Sequence, residues 1–301
     1  MKRALNLSAR ISITALAFAT FSAIPAAAQP ARPHIFPRIP FDGVPGQAST
    51  PPCTNLPLED FGGPVLQSSN TYALFWGKKQ SDFPSDFVAA APLFFAGFGS
   101  SEYSYVLDQY MPFGAMAVSS FGGSVTDLTK PPSSKKGPTT GTLVKRVCKY
   151  IKRGQLPLDP VNPATNSGGI YFIFTTNFPA KAPYCGFHDF GKCEKQEIAV
   201  AYVPNTTGNL LCELPITLGA NAYSLDTQSM MNIAAHEASE ATTDPEVNDA
   251  TAWAGADGCE IGDKCAWQFQ SPVSLSNSTD WQLQENWSNS VGDCVQDQLA
   301  P

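Results

Sequence analysis

The chain has 301 residues, with 19 Lys and Arg against 26 Asp and Glu and a net charge of −7. That acidic balance, with only 15% charged residues, argues against nucleic acid or an anionic membrane surface as a partner. The length suits one large domain with a full core, or two small ones.

Lys2, Arg3 and Arg10 make a positive start, residues 11–24 are largely apolar, and Ala26-Ala27-Ala28 precedes Gln29. Residues 1–28 therefore read as a secretory signal peptide, and the apolar run is too short and interrupted to span a membrane. The expectation is a secreted protein, extracellular or periplasmic, with no stable membrane anchor after cleavage. Losing three basic residues and no acidic ones takes the net charge to −10. All eight cysteines lie downstream, and an even count in an oxidising compartment favours disulfides. Sequence leaves their connectivity open. Cys265 with Cys294 is one candidate, tying the tail back toward the polar motifs; Cys185 with Cys193 is another, closing a loop around His188. Zinc thiolates are disfavoured, because no pair of Cys-x-x-Cys knuckles is present.

In chain order, residues 29–58 are proline-rich and aperiodic, an extended leader ordered at most by Cys53. His34 falls in this leader and receives no role. A single domain is expected over residues 59–301. Residues 71–77 predict a strand and 85–98 a helix, with Ser85 or Asp86 near its cap. Residues 113–139 predict short strands and loops, with 130–137 a mobile, solvated basic loop. Residues 141–153 carry helical periodicity, stopped by Gly154. The apolar runs 169–175 and 198–203 predict strands, the first of them central. Residues 226–243 give the strongest helical pattern, capped by Asp226 or Thr227 and ended by Pro245. Beyond Asn248 the chain turns irregular; Trp253, Trp267, Trp281 and Trp287 read as core or loop anchors. Asn205, Asn277 and Asn286 open N-glycosylation triplets and read as surface loops.

The chemistry concentrates in His236-Glu237-Ala238-Ser239-Glu240 and, nineteen residues further on, Glu260-Ile261-Gly262-Asp263. On a helix, His236 and Glu240 project one turn apart on one face, the arrangement two ligands need to hold one metal ion. The layout is that of a zinc-hydrolase helix with a carboxylate in place of the second histidine. One reading makes His236, Glu240 and either His188 or Glu260 the ligands of one zinc, with Glu237 as catalytic base. Asp263 or Asp244 would then orient a ligand histidine. The competing reading is a hydrogen-bonded polar core or a calcium clamp. A glycosidase pair, Glu237 with Glu260, requires a separation that sequence does not give. Gly-x-Ser-x-Gly motifs are absent.

Five segments in order resemble the phosphate-induced protein 1 family, whose best-known members are the plant Exordium proteins. They are Gly63-Pro64-Val65-Leu66 before the strand ending Trp76-Gly77; Gly169-Ile170-Tyr171-Phe172; Cys185-Gly186-Phe187-His188; Ala235 to Ala241 with Thr243-Asp244-Pro245; and Glu260 to Cys265. The resemblance spans about residues 60–295 and implies a secreted protein, without implying a settled activity. The proline-rich start and the short segment between Cys185 and Cys193 depart from the plant pattern.

The expected fold is a disulfide-stabilised α+β domain: a mixed sheet packed against helices, in a zincin-like layout with the 227–243 helix under the sheet. Two functional classes follow. One is a zinc metallohydrolase acting on peptides. The other is a non-catalytic extracellular binding or signalling protein that keeps the cluster for structure. Either acts on an extracellular peptide, protein or cell-wall component.

Overall fold

The computed structural model describes residues 34–37, 53–215, 223–247 and 249–297; the expected signal peptide lies outside them. The elements are β1 (His34–Pro37), β2 (Glu59–Asp60), β3 (Ser68–Trp76), α1 (Phe87–Phe98), α2 (Glu102–Tyr105), β4 (Val118–Asp127) and α3 (Thr140–Ile151). There follow β5 (Ser167–Thr175), β6 (Tyr184–Cys193), β7 (Gln196–Pro204) and α4 (Leu225–Thr243). The C-terminal part adds short strands β8 (Trp253–Ala254), β9 (Val273–Ser274), β10 (Asp280–Trp281), β11 (Asn286–Ser288) and β12 (Asp293–Val295).

Six strands form one mixed sheet in the order β1-β6-β7-β5-β3-β4. Strands β4, β3, β5 and β7 run parallel, and β6 is antiparallel to β7. Period-two alternation sorts the side chains of the buried strands into two layers. Ala73, Phe75, Phe172, Phe174, Ala199, Ala201 and Val203 face one core with α1 and α4. Leu74, Trp76, Tyr171, Ile173, Val200 and Tyr202 face the other, with Leu143, Val144 and Val147 of α3. Both faces being covered explains why 169–175 reads as an unbroken apolar run rather than an alternating one.

Helix α4 is buried on every side from Thr227 to Thr243, which makes its polar residues partners of other elements rather than of water. Its cap is Ser224, whose Oγ accepts from Thr227 N, and not Asp226 or Thr227. The start of the helix is held from outside by Asp86, which accepts from Ser224 N at 2.6 Å, Ser224 Oγ at 2.7 Å and Thr227 Oγ1 at 2.6 Å. Although Asp86 stands at the start of α1, its carboxylate makes no capping bond there.

Several expectations are corrected. Residues 29–58 are not only a leader: His34–Pro37 forms an edge strand on β6. The segment around His188 is not a loop but the ten-residue strand β6. Cys185 and Cys193 stand eight residues apart along it, roughly 26 Å in extended chain, far beyond disulfide reach. They pair instead with Cys212 and Cys148. Cys265–Cys294 forms as expected, and Cys53–Cys259 completes the set. The basic loop is pinned by Asn177 Nδ2 to Pro132 O at 3.0 Å and Lys181 N to Lys135 O at 2.7 Å. Asn286 is no surface residue: it is fully buried in β11. Trp281 and Trp287 are core side chains, as expected. Four disulfides fit an oxidising compartment. Among the described residues, no helix is long and apolar enough to cross a membrane.

Burial alone would raise the Asp86 carboxyl, but the hydrogen bonds from Ser224 and Thr227 outweigh it and hold the pKa below the usual value. A depressed folded pKa gives stability that is present above the unfolded pKa and lost as pH falls through the folded one. Asp86→Asn is expected to cost about 1 kcal/mol at neutral pH and to flatten the acid limb of thermal unfolding below about pH 4. An unchanged acid limb would show that this contact does not hold α4.

Candidate metal centre

Three elements bring the polar motifs together. Helix α4 supplies His236, Glu237 and Glu240, and its end supplies Asp244. Strand β6 supplies His188, the 263–265 helical turn supplies Asp263, and the residues just before it supply Glu260. On β6, Phe187 points into the α3 core, so His188 and Gly186 point to the α4 side. The 47 residues between His188 and His236 are thus bridged by one strand lying over one helix.

Glu240 is the shared member. Its Oε1 lies 3.0 Å from His236 Nε2, and its Oε2 lies 3.4 Å from His188 Nδ1. Ligand-capable atoms of His188, Glu240 and Glu260 lie within 4.8 Å of one another, as do those of His236, Glu240 and Asp263. Two triads therefore meet at one carboxylate. His236 groups with Asp263, not with His188 or Glu260 as the sequence spacing suggests, and Asp263 stands among the potential ligands rather than behind them. Glu237 Oε2 lies 3.2 Å from His188 Nδ1, which places the expected base against a histidine. Asp244 contributes its carbonyl 3.3 Å from His188 Nε2, while its Oδ1 accepts from Ala252 N at 2.9 Å.

His188, His236, Glu237, Glu240 and Glu260 have no exposed surface. Burial disfavours both imidazolium ions, yet the facing carboxylates prevail, pushing His188 up to about 10 through Glu237 and Glu240, and His236 up to about 9 through Glu240. Burial and the neighbouring carboxylates drive Glu260 and Asp263 well above the usual range. Glu240 goes the other way: burial opposes its charge, but the two histidines hold it low. Burial raises Asp244 to about 6.

A polar seam that sequence reading missed aligns this centre. Gln228 Oε1 accepts from Gln282 N at 3.0 Å, and Asn232 Oδ1 from Gln284 N at 2.7 Å. Gln284 Nε2 lies 3.0 Å from His236 Nδ1 and also donates to Gly262 O at 2.9 Å, and Asn286 Nδ2 donates to Ser239 Oγ at 3.2 Å. The spacing works because four helical residues rise ~6 Å and two extended residues ~6.6 Å. Positions 228 and 232 can therefore meet alternate residues 282 and 284, and the Gln284 side chain reaches on to His236. The sequence sign of it is slight: Leu283 separates Gln282 from Gln284, but Glu285 breaks the alternation before Asn286.

Two glycines give the centre its close packing. A Cβ on Gly262 would lie 2.6 Å from His236 Nδ1, and one on Gly186 would lie 2.5 Å from Ile233 Cγ2 and 3.0 Å from Glu237 Oε1. Disulfides brace the same residues: Cys259 adjoins Glu260, Cys265 follows Asp263 by two, and Cys185 precedes His188 by three.

The backbone at Gly262 is helical, so alanine there is hindered only by the His236 ring. Gly262→Ala is expected to cost ~1–3 kcal/mol in denaturant unfolding. Gly141→Ala, on α3 with open space around its Cβ, is the control and should gain ~0.5 kcal/mol. Equal effects at the two positions would disprove the tight contact at His236.

No protein-family model matches the chain, and no match is found among curated proteins.

Proposed function

We propose that this is an exported, Exordium-like protein built around a zinc centre on α4, whose chemistry is the hydrolysis of peptides. The observation that carries the metal is the meeting of two buried triads at Glu240. Five carboxylates, those of Glu237, Glu240, Asp244, Glu260 and Asp263, face two imidazoles. Lys264, the nearest basic residue in sequence, turns away and donates to Leu56 O at 2.8 Å. Burying such an excess of acid groups is costly unless a cation accompanies them. Glu237 Oε1 is fully buried and has no hydrogen-bond partner, as expected of an atom kept for a guest at the centre. The donor set fits zinc better than calcium, because calcium takes oxygen ligands and imidazole nitrogen suits zinc.

In this reading His188 with Glu240 and Glu260, or His236 with Glu240 and Asp263, holds the metal, and Glu237 holds a proton at Oε1 or Oε2. Metal binding by His236 Nε2 requires a proton on Nδ1, and so requires the Gln284 amide to present Oε1 to Nδ1 in place of the Nε2 that faces it. When bound, zinc would supply Lewis-acid polarisation and an acidified water. A helix running under a mixed sheet, with antiparallel β6 bringing a histidine to it, supports the zincin-like layout. The burial of His188, His236, Glu237, Glu240 and Glu260, with only Asp263 partly exposed, favours a second reading, a closed structural clamp in a non-catalytic binding protein.

Elemental mass spectrometry on the oxidised, exported protein is expected to find bound zinc, lost in Glu240→Ala. Chelation should lower the unfolding temperature, since a ligand held only by the folded state stabilises it. Glu237→Gln should keep the metal and the fold while reducing peptide cleavage at least ~100-fold. Metal without cleavage in the parent protein selects the clamp. A metal-free, folded parent overturns the zinc and clamp readings and leaves the cluster as a hydrogen-bonded polar core in a binding protein.

A further inference from the structure

The two triads at Glu240 differ in what faces the far nitrogen of each imidazole. A neutral ring that ligates through one nitrogen carries its proton on the other, and that N–H needs an acceptor. At His236 the far nitrogen meets a donor. Gln284 Nε2 lies 3.0 Å from Nδ1, and the same amino group donates to Gly262 O at 2.9 Å and to Glu285 O at 3.3 Å. Turning the amide over would set Oε1 against both carbonyl oxygens, so those two contacts fix the amino group on Nδ1. Nδ1 is then the accepting nitrogen, and the ring proton lies on Nε2. Glu240 Oε1 at 3.0 Å and Asp263 Oδ1 at 3.8 Å are placed to receive it.

At His188 both nitrogens face acceptors. Nδ1 lies 3.2 Å from Glu237 Oε2, and Nε2 lies 3.3 Å from Asp244 O. Either nitrogen can bind an ion while the other donates to a carboxylate or a carbonyl, the support that a ligating histidine needs. Glu240 is divided in the same sense. Its Oε1 is engaged by His236 Nε2 and by Asp263 N, which donates at 3.1 Å. Its Oε2 is buried without a hydrogen-bond partner, 3.4 Å from His188 Nδ1. Glu260 Oε2 lies 3.5 Å from His188 Nε2.

We infer that zinc is held by His188, Glu240 Oε2 and Glu260, and that His236 is a positioning residue rather than a ligand. The inference rests on the zinc-centre reading and narrows it to one of the two triads. Gln284 sets the His236 ring, the Nε2–H of that ring holds Glu240 by Oε1, and Oε2 is thereby presented to the ion. The first residue of His236-Glu237-Ala238-Ser239-Glu240 thus serves the last, and the imidazole ligand comes from strand β6. One imidazole and two carboxylates leave the fourth position of a tetrahedral zinc open.

Zinc affinity of the oxidised full chain, read by competition with a chromophoric chelator, tests the assignment. Glutamine carries an amino group about where imidazole carries Nε2, so His236→Gln keeps a donor for Glu240 without a strong ligand. His236→Ala is expected to weaken zinc binding ~10–100-fold, and His236→Gln to restore it to within ~10-fold of the parent. His188→Gln should lose more than ~100-fold. Equal losses in His188→Gln and His236→Gln, or two zinc ions per chain, overturn the assignment. Should either variant fail to unfold cooperatively, long-range proton–nitrogen NMR on the zinc-loaded parent decides it, with three histidines to resolve. A zinc-shifted nitrogen at His188 and a protonated Nε2 at His236 are expected, and a zinc-shifted Nε2 at His236 overturns the assignment. A zinc-free parent overturns the zinc reading with it, whereas zinc at His236 overturns the assignment alone.

Discussion

Glu240 places a carboxylate where it has no exposed surface, and much of the surrounding structure answers to that constraint. A carboxylate with no exposed surface is tolerated only with positive partners at hand, and here His188 and His236 approach it from two different elements. Those contacts require β6 to lie across α4 in one register, since a slip of one residue would send His188 to the α3 face and bring Phe187 into the polar centre. The remaining carboxylates, Glu260 and Asp263, must then be delivered by a turn that closes over the helix. The small side of Gly262 lets that turn reach the His236 ring.

The apolar architecture makes such a centre affordable. Two cores, one on each face of the sheet, fix the strand positions independently of the polar cluster. Alanines at 199 and 201 on β7 and at 234, 235, 238 and 241 on α4 bring helix and sheet close. The polar seam from Gln228 to Asn286 gives the buried polar face of α4 its hydrogen bonds from the 282–286 segment. Three of the four disulfides anchor segments next to His188, Glu260 and Asp263, and the last two lie outside any long regular element. Cross-links there limit the freedom of exactly those stretches that carry charge into the interior.

The helices and central strands were legible because each has a single-sequence signature: 3.6-residue periodicity in 141–153, the breaker Pro245 after 226–243, and continuous apolar runs at 169–175 and 198–203. Strand β6 was not, because Gly186, His188, Asp189, Gly191 and Lys192 break any apolar alternation. Its polar residues serve the site and the edge rather than a core. The ligand grouping was half legible. The i, i+4 pair His236 and Glu240 follows from helical geometry, but the assignment of Asp263 to His236 and of Glu260 to His188 depends on how the 260–263 turn enters. Gln284 left no signal, being one of three consecutive polar residues, Gln284-Glu285-Asn286.

By itself the sequence determined the composition of the centre, the helix that carries it, the disulfide count and the layering of the main strands, since these follow from local periodicity and residue chemistry. Only the tertiary structure decided which cysteines pair, which carboxylate is shared, and that residues 34–37 return to the edge of the sheet. Each of these joins segments separated by tens to hundreds of residues. The energy that selects them comes from packing and desolvation after the chain has closed on itself, which no local pattern encodes.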